Sequence, residues 1–391
     1  MEAIHAGTTD ILWTFPAIVL AALLIAWAAE CGQFYISQGL ALAVLAWVQT
    51  LPEFAVEAVI ALEAAKDPAK MHLVTANFTG SLRLFVGLGW PLVYFLAMFS
   101  GKKFPQKGKP FWSIEMEDQH SISVLAILPA IFYFIIIYFK SSLNILDALV
   151  LAAIYFIYLY LLSRLPSQDQ EGVEELDFIP RHVMKLKKPL NIVGIFIFFI
   201  AGALLLWFTA HPFLNSMLAA ALTFGISQFV FVQWIAPFLS EFPEQLSAFR
   251  WAWSVKKAPM ALSNFVSSSI NQWTILVATV PFIYSFGVGH VAPIVFDEHQ
   301  KVEILLTIVQ SYLGFLFLAS MDFSLIEACG LFGLWLFQFF VPSVREEIIY
   351  VYAAWAAVET LRFAGSFGGR NAFTVFRRLA KQHLFARRSV R

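Results

Sequence analysis

The sequence predicts an all-α membrane protein: ten core transmembrane helices in two inverted five-helix repeats, with an eleventh candidate helix at the C-terminus. Three observations predict it: scarce charge, long apolar stretches, and a motif that occurs twice with five helices between its copies. Of 391 residues, 60% are apolar and 13% charged, against about 25% charged in a soluble domain. Stretches such as Ile122–Phe139, Ile145–Leu162 and Leu190–Trp207 each run 18 residues, enough to cross a hydrocarbon core about 30 Å thick. Lipid offers the backbone no hydrogen bonds, so each stretch should be a helix. The net charge is zero, which implies no nucleic acid or other polyanion as a partner of the whole chain. The partners to expect are the lipid bilayer and inorganic cations.

In order, the helices are expected at about 12–30, 36–64, 71–98, 121–139, 145–163, 190–222, 226–253, 258–285, 302–319 and 324–341. The residues before Ile11 include Glu2 and Asp10 and no Lys or Arg, so the first stretch should stay in the protein as a helix. The sixth helix is long and interrupted near His211-Pro212, which argues for a kink. The eleventh candidate, 347–364, carries Glu347, Glu359 and Arg362 and is expected to span. The chain thus divides into a first repeat (1–163), a linker (164–189), a second repeat (190–341), and a C-terminal helix with a basic tail (342–391). Cys31 and Cys329 read as small packing residues.

Loop charge sets the orientation. Lys102, Lys103, Lys107 and Lys109 follow helix three; Arg164, Arg181, Lys185, Lys187 and Lys188 lie between helices five and six; Arg250, Lys256 and Lys257 flank the turn after helix seven. These loops share one side, which the positive-inside rule makes cytoplasmic. The N-terminus is then outside, the linker cytoplasmic, and the tail with Arg370, Arg377, Arg378 and Lys381 inside.

The repeat locates the chemistry. Ile36-Ser37-Gln38, an apolar run and Leu51-Pro52-Glu53 recur as Ile226-Ser227-Gln228, an apolar run and Phe242-Pro243-Glu244. Asn77-Phe78-Thr79-Gly80-Ser81 is echoed by Asn264-Phe265-Val266-Ser267-Ser268. Five helices separate the copies, so the second enters the membrane inverted; inverted repeats mark transporter folds, with the site where the halves meet. Pro52 and Pro243 are expected inside long helices, each freeing a carbonyl oxygen, and each is followed by a glutamate. Oxygens gather nearby: Gln49, Thr50, Asn77 and Ser81 from one half; Ser240, Asn264, Ser268 and Gln272 from the other. Carboxylates with neutral oxygens suit hard cations such as Ca²⁺ or Na⁺, whereas no histidine or cysteine cluster invites a soft metal.

These motifs resemble the calcium/cation antiporter superfamily, which includes the sodium/calcium exchangers and carries G-T-S-L-P-E followed by G-N-x-x-G-S-N in each of two inverted repeats. Here the copies read Val48-Gln49-Thr50-Leu51-Pro52-Glu53 with Ala76-Asn77-Phe78-Thr79-Gly80-Ser81-Leu82, and Leu239-Ser240-Glu241-Phe242-Pro243-Glu244 with Ser263-Asn264-Phe265-Val266-Ser267-Ser268-Ser269. The resemblance implies that Glu53 and Glu244 are paired central carboxylates, binding calcium and the counter-ion alternately. It makes Ser81, Ser268, Thr50, Ser240 and Gln49 the surrounding shell. Three departures stand out. Phe85 and Gln272 occupy positions where the family often has Asn or Asp, and Glu241 replaces a serine.

Arg83 has two readings: a built-in cation pairing with Glu53, Glu57 or Glu241, or an arginine reaching the interface with a structural partner. Glu57, one turn from Glu53, reads as an entrance ligand or a structural carboxylate. Glu30, Asp147, Asp322 and Glu327 lie near helix ends and are not expected to coordinate.

The function this implies is antiport of Ca²⁺ against Na⁺ or H⁺ by alternating access, with no cofactor. Alternatives are a Na⁺/H⁺ exchanger on the same fold and a non-transporting membrane scaffold. A membrane enzyme would need a nucleophile–base pair or metal cluster that the eight histidines, mostly at loops and helix ends, do not supply.

Overall fold

The computed structural model describes residues 7–32, 34–35, 50–100, 113–165, 172–176, 178–365 and 369–384. Six of the described helical stretches are long and apolar enough to cross a membrane: Ile11–Gly32, Pro68–Phe99, Asp118–Lys140, Ile145–Ser163, Leu190–Thr223 and Glu298–Ala319. Two shorter ones, Gln228–Ser240 and Leu325–Phe340, are also apolar. The chain folds as two compact units, residues 1–77 with 162–244 and residues 78–161 with 245–391. Each unit therefore draws on both halves of the sequence.

In the first unit, α1 (Ile11–Gly32) packs against the long α8 (Leu190–Thr223), which runs as one helix through Pro212. A Cβ on Gly202 would lie 2.7 Å from Ile25 and 2.9 Å from the Ala21 carbonyl oxygen. Only glycine lets the two backbones come this close. Thr14 and Ser216 share a buried hydroxyl–hydroxyl hydrogen bond of 2.9 Å between the same helices. The other face of α8 exposes Phe196, Ile197, Ile200, Leu204, Trp207 and Phe208, an apolar surface suited to lipid. The short α7 (Phe178–Met184) lies at the end of α1, where Cys31 Sγ donates to the Pro180 carbonyl at 3.7 Å.

The expected helix at 36–64 is described only from Thr50 onward, as α2 (Leu51–Lys66). The expected continuous helix at 226–253 is broken. It consists of α9 (Gln228–Val230), a π turn (Phe231–Ile235) and α10 (Ala236–Ser240), then Glu241, then α11 (Phe242–Trp253). Pro243 is consequently not a kink inside a helix. It is the second residue of α11, where a missing N–H is no loss because the first turn has no acceptor for it. Pro243 marks a restart, and Pro52 is likewise the second residue of α2.

In the second unit, α3 (Met71–Leu84), which begins in the first unit, continues through a π turn (Phe85–Gly89) into α4 (Trp90–Phe99). The helix α12 (Ala258–Asn271) likewise passes through a π turn (Gln272–Leu276) into α13 (Val277–Val288). The two π turns begin at Phe85 and Gln272, 187 residues apart, the same offset that separates Asn77 from Asn264 and Ser81 from Ser268. Repeat-related sequences therefore carry the same local defect.

The remaining elements are reciprocal as well. β1 (Ser113–Glu115) precedes α5 (Ser121–Lys140), which is followed by β2 (Ser142–Leu143) and α6 (Ile145–Ser163). In the second half, β3 (Ile294–Val295) precedes α14 (Glu298–Ala319), followed by β4 (Asp322–Ser324) and α15 (Leu325–Phe340). β1 pairs antiparallel with β4, Ser113 opposite Ser324, and β2 pairs with β3, Ser142 opposite Val295. Each half thus lends a strand to the other at both ends of α5. Two matching turns have left-handed residues, Ser141 at φ 56° and Met321 at φ 62°.

The eleventh candidate forms α16 (Arg345–Gly365), packed along α14 with Tyr352 and Ala356 buried. A final amphipathic helix, α17 (Ala372–Leu379), closes this unit. Both cysteines are free.

Helix contact is close at Gly87, where a Cβ would meet Trp335 at 2.4 Å, whereas a Cβ on Gly333 would meet nothing within 4 Å. Gly87→Ala should therefore destabilise by about 1–3 kcal/mol through overpacking, while Gly333→Ala should be neutral or stabilise by up to about 1 kcal/mol. Thermal unfolding of the purified variants in detergent checks both.

Candidate functional site

The first unit holds Thr50, Glu53, Asn77, Ser240, Glu241 and Glu244 among the sequence-predicted site residues. The second holds Ser81, Arg83, Asn264, Ser268 and Gln272. Gln49 lies outside the described residues.

The helix ends position the acids. Thr50 caps α2 by its backbone conformation, with no side-chain cap bond, so the first-turn amides of α2 are not closed by that hydroxyl. Glu53 and Glu244 are both third residues of their helices, where the positive end of the helix dipole favours a carboxylate. The break before α11 leaves the opposite polarity. α10 ends at Ser240, with Glu241 as its C-cap, and carbonyls at a helix C-terminus attract cations. α2 packs against α10, so the helix carrying Glu53 adjoins the one that ends at this break. All four acids of the region are buried: Glu53 is 2% exposed, Glu57 0%, Glu241 4% and Glu244 6%.

Glu57 is the most informative of them. Asn77 Nδ2 donates to Glu57 Oε2 at 2.5 Å. Glu57 Oε1 and Asn77 Oδ1 are both buried without a hydrogen-bond partner. Two adjacent acceptors left unmade in a sealed site are expensive, and a bound cation or proton is the kind of group that satisfies them. Among the described elements packed on α2, the short turn Pro68–Lys70 brings Lys70, which pairs with Glu63. α1 contributes Glu30, α8 only His211, and α10 nothing charged. His211 Nε2 lies 3.6 Å from Glu63, which also receives Lys66 and Lys70 near the far end of α2.

The second unit treats its buried charges differently. Arg83, fully buried, makes a charge-assisted hydrogen bond and ion pair with Glu303 Oε2. Arg345 Nη1 lies 2.9 Å from Glu303 Oε1, a contact of charge rather than an aligned hydrogen bond. Arg83 also donates to Gln338 Oε1 at 3.3 Å and to the Thr79 carbonyl at 3.3 Å, and Gln310 Nε2 donates to the Arg83 carbonyl at 3.0 Å. Arg83 is thus sealed in the protein with a structural partner and does not reach for an interface.

Around Ser268, Phe265 packs on Phe85 with centroids 5.3 Å apart. Ser267 is held by the Tyr158 hydroxyl at 3.0 Å, itself 3.1 Å from Ser123. Ser268 is buried and Asn264 half-buried. Among the charges expected near helix ends, Asp147 pairs with Lys140 and accepts from Tyr133 at 2.9 Å, and Glu327 caps α15 through the Ser324 amide.

Sequence reasoning undervalued Glu57, although its place one turn after Glu53 was a readable signal. It missed Glu303 as the partner of Arg83, since a contact across 220 residues leaves no local trace.

Apolar surfaces, interrupted helices and buried acids define a multi-pass helical membrane protein of the ion-transporter class. The chain belongs to the sodium/calcium exchanger protein family, whose model matches residues 9–164 and 194–343, two separate segments. A solved structure of an H⁺/Ca²⁺ exchanger CAX is 29% identical, covers 97% of this chain and 92% of its own, and superposes with a TM-score of 0.87. Structures of the sodium-calcium exchanger NCX_Mj share the fold at a TM-score of 0.56. One, soaked with Na⁺ and Sr²⁺, is 17% identical over 85% of this chain and 97% of its own; another, soaked with Na⁺ and Ca²⁺, is 16% identical over 87% and 99%. No curated protein matches the sequence.

Arg83 and Arg345 share Glu303, so removing the acid leaves two arginines without it. Glu303→Met should destabilise by about 3–5 kcal/mol, and more than Arg83→Met, which leaves Glu303 with Arg345, as thermal unfolding will show. Equal loss in the two variants would contradict a shared acid.

Proposed function

We propose that this protein is a secondary-active cation antiporter that exchanges Ca²⁺ for H⁺ or Na⁺ by alternating access. The observation that carries the reading is the set of four buried acids in the first unit, with Glu57 Oε1 and Asn77 Oδ1 buried and without a hydrogen-bond partner among the described residues. A membrane protein that buries acids in this way has a use for a positive guest.

In this reading Glu53 and Glu244 neutralise the cation. Thr50, Gln49, Ser240, Glu241, Asn77, Ser81, Ser268, Asn264 and Gln272 are the remaining candidate oxygen ligands. Carbonyls at the end of α10 add partial negative charge. Antiport follows from competition, because one pair of carboxylates cannot hold Ca²⁺ and its counter-ion together. The likeness to an H⁺/Ca²⁺ exchanger over nearly the whole chain supports the proton as the first counter-ion to test.

We place ten core helices in two inverted repeats, with α16 as an eleventh span. Its 21 residues reach about 31 Å at 1.5 Å per residue. The N-terminus is outside and the linker cytoplasmic. A second reading, Na⁺/H⁺ exchange on the same fold, is favoured by Phe85 and Gln272, which bring no acid where the family often has an acid or amide.

Purified protein in liposomes tests the scheme. An outward proton or Na⁺ gradient should drive ⁴⁵Ca²⁺ uptake, and Glu53→Gln and Glu244→Gln should each reduce it to the level of protein-free liposomes. Calcium-independent, Na⁺-driven proton movement would select the second reading. Unchanged calcium flux in both variants would sink the first.

Glu57→Gln keeps the shape of the Asn77 pair and removes its charge. It should weaken ion-dependent thermal stabilisation at least about tenfold in apparent affinity, equivalent to about 1.4 kcal/mol, measured by titrating Ca²⁺ and Na⁺ at fixed pH.

A further inference from the structure

The C-terminal helix α17 has two faces with different chemistry. Ala372 and Val375, with Ala380 just beyond, are buried, and Phe373 packs on Phe315 and Phe363 at centroid distances of 6.4 and 5.9 Å. Arg377, Arg378, Lys381 and Gln382 are exposed on the other side. Together with Thr374 they line a shallow cavity of about 570 Å³ with no acidic residue in its wall.

The helix is fixed at one end of the spanning helices of its unit. Arg370 Nη2 donates to the Met116 carbonyl at 2.6 Å and to Asp118 Oδ1 at 3.3 Å, and Arg378 makes an ion pair with Asp118 Oδ2. Asp118 opens the apolar stretch Asp118–Lys140. Phe315 lies one turn before the end of α14 at Ala319, and Phe363 two residues before the end of α16 at Gly365. Three helices therefore begin or end where α17 is seated, which sets it at the level where hydrocarbon gives way to headgroups.

Asp118 is already matched by two arginines. Arg377 and Lys381, four residues apart and so on one face, make no ion pair among the described residues. An amphipathic helix with buried apolar residues, outward cations and a place at the bilayer boundary recognises anionic lipid. The positive-inside reading of the sequence puts this end on the cytoplasmic side, where such lipids concentrate.

We propose that Thr374, Arg377, Arg378, Lys381 and Gln382 form a binding site for the headgroup of an anionic phospholipid of the surrounding membrane. The phosphate accepts from Arg377 and Lys381, and the Gln382 amide donates at its edge; Thr374 lines the wall, its hydroxyl donating to the Gly369 and Asn371 carbonyls. Arg378 is shared with Asp118, so an occupied site ties the lipid to the start of α5.

The test uses the full-length purified protein and native mass spectrometry of retained lipid, in detergent doped with phosphatidylglycerol or with phosphatidylcholine. The unaltered protein should retain phosphatidylglycerol preferentially. Arg377→Gln with Lys381→Gln should weaken that retention about thirtyfold, from roughly 1 kcal/mol per basic residue at an anionic surface. Both side chains are exposed, so the variant should unfold at the same temperature in phosphatidylcholine. Should it not, Lys381→Gln alone gives the reading, with about a fivefold loss expected. A preference for phosphatidylglycerol that survives these substitutions overturns the site. So does equal thermal stabilisation by inorganic phosphate alone, which would make it a site for free anions.

Discussion

A carboxylate shut away from water inside a bilayer has to be given positive charge, and the protein answers that constraint in two ways. In the second unit the answer is built into the chain as arginine side chains. Glu303 is met by Arg83 and Arg345, both on neighbouring helices, with Gln338, Gln310 and the Thr79 carbonyl using the remaining polar groups of the arginine. Such a site is closed, and no guest is required. In the first unit Glu53, Glu57, Glu241 and Glu244 are buried, and Glu57 Oε1 and Asn77 Oδ1 have no hydrogen-bond partner among the described residues. The two arrangements separate acids that hold the fold from acids with room for an ion.

Interrupted helices make the second answer affordable to the backbone. An unbroken helix satisfies its own amides and carbonyls and offers nothing to an ion. The start of α2 at Leu51 and the restart at Phe242 put Glu53 and Glu244 in the first turns of their helices, and the stop at Ser240 presents carbonyls beside Glu241. The π turns at Phe85–Gly89 and Gln272–Leu276 are a milder form of the same device, at repeat-related places just after the serine motifs. Around them the scaffold is rigid: Gly87 is closed by Trp335, Gly314 by Trp90 and Val86, and strands from each half cross-pair at both ends of α5.

Much of this was legible in the sequence because lipid allows so few solutions. The span at 145–163 matches its helix residue for residue, and the expected ends at 121–139, 302–319 and 324–341 fall within a few residues of the observed ones. The doubled Pro-Glu motif pointed to the buried acids because a repeat is visible without knowing any contact. What could not be read was the meaning of proline at helix resolution. In an apolar run, Pro243 looks the same whether it bends a helix or opens a new one. The difference lies in the amides and carbonyls around Glu241, which sequence does not display. Arg83 was ambiguous for a related reason. Its partner, Glu303, lies 220 residues away, and periodicity reports only what is local.

The departures from the family motif gain a physical sense from the same contrast. Phe85 stands where the family often has a polar ligand, and it is fully buried against Phe265, itself two turns from Asn271 and Gln272 on a helix rich in hydroxyls. Replacing a ligand with a packed ring removes an oxygen and stiffens the crossing of the two motif helices at once. The buried acids that lack this aromatic cover lie in the first unit, where Glu53, Glu57, Glu241 and Glu244 are all buried. Attraction to a cluster of carboxylates scales with the charge of the guest, so such a cluster discriminates more strongly between divalent and monovalent ions than neutral oxygens do. The placement of acids, more than their number, is what separates this chain from a symmetric arrangement of ligands in each half.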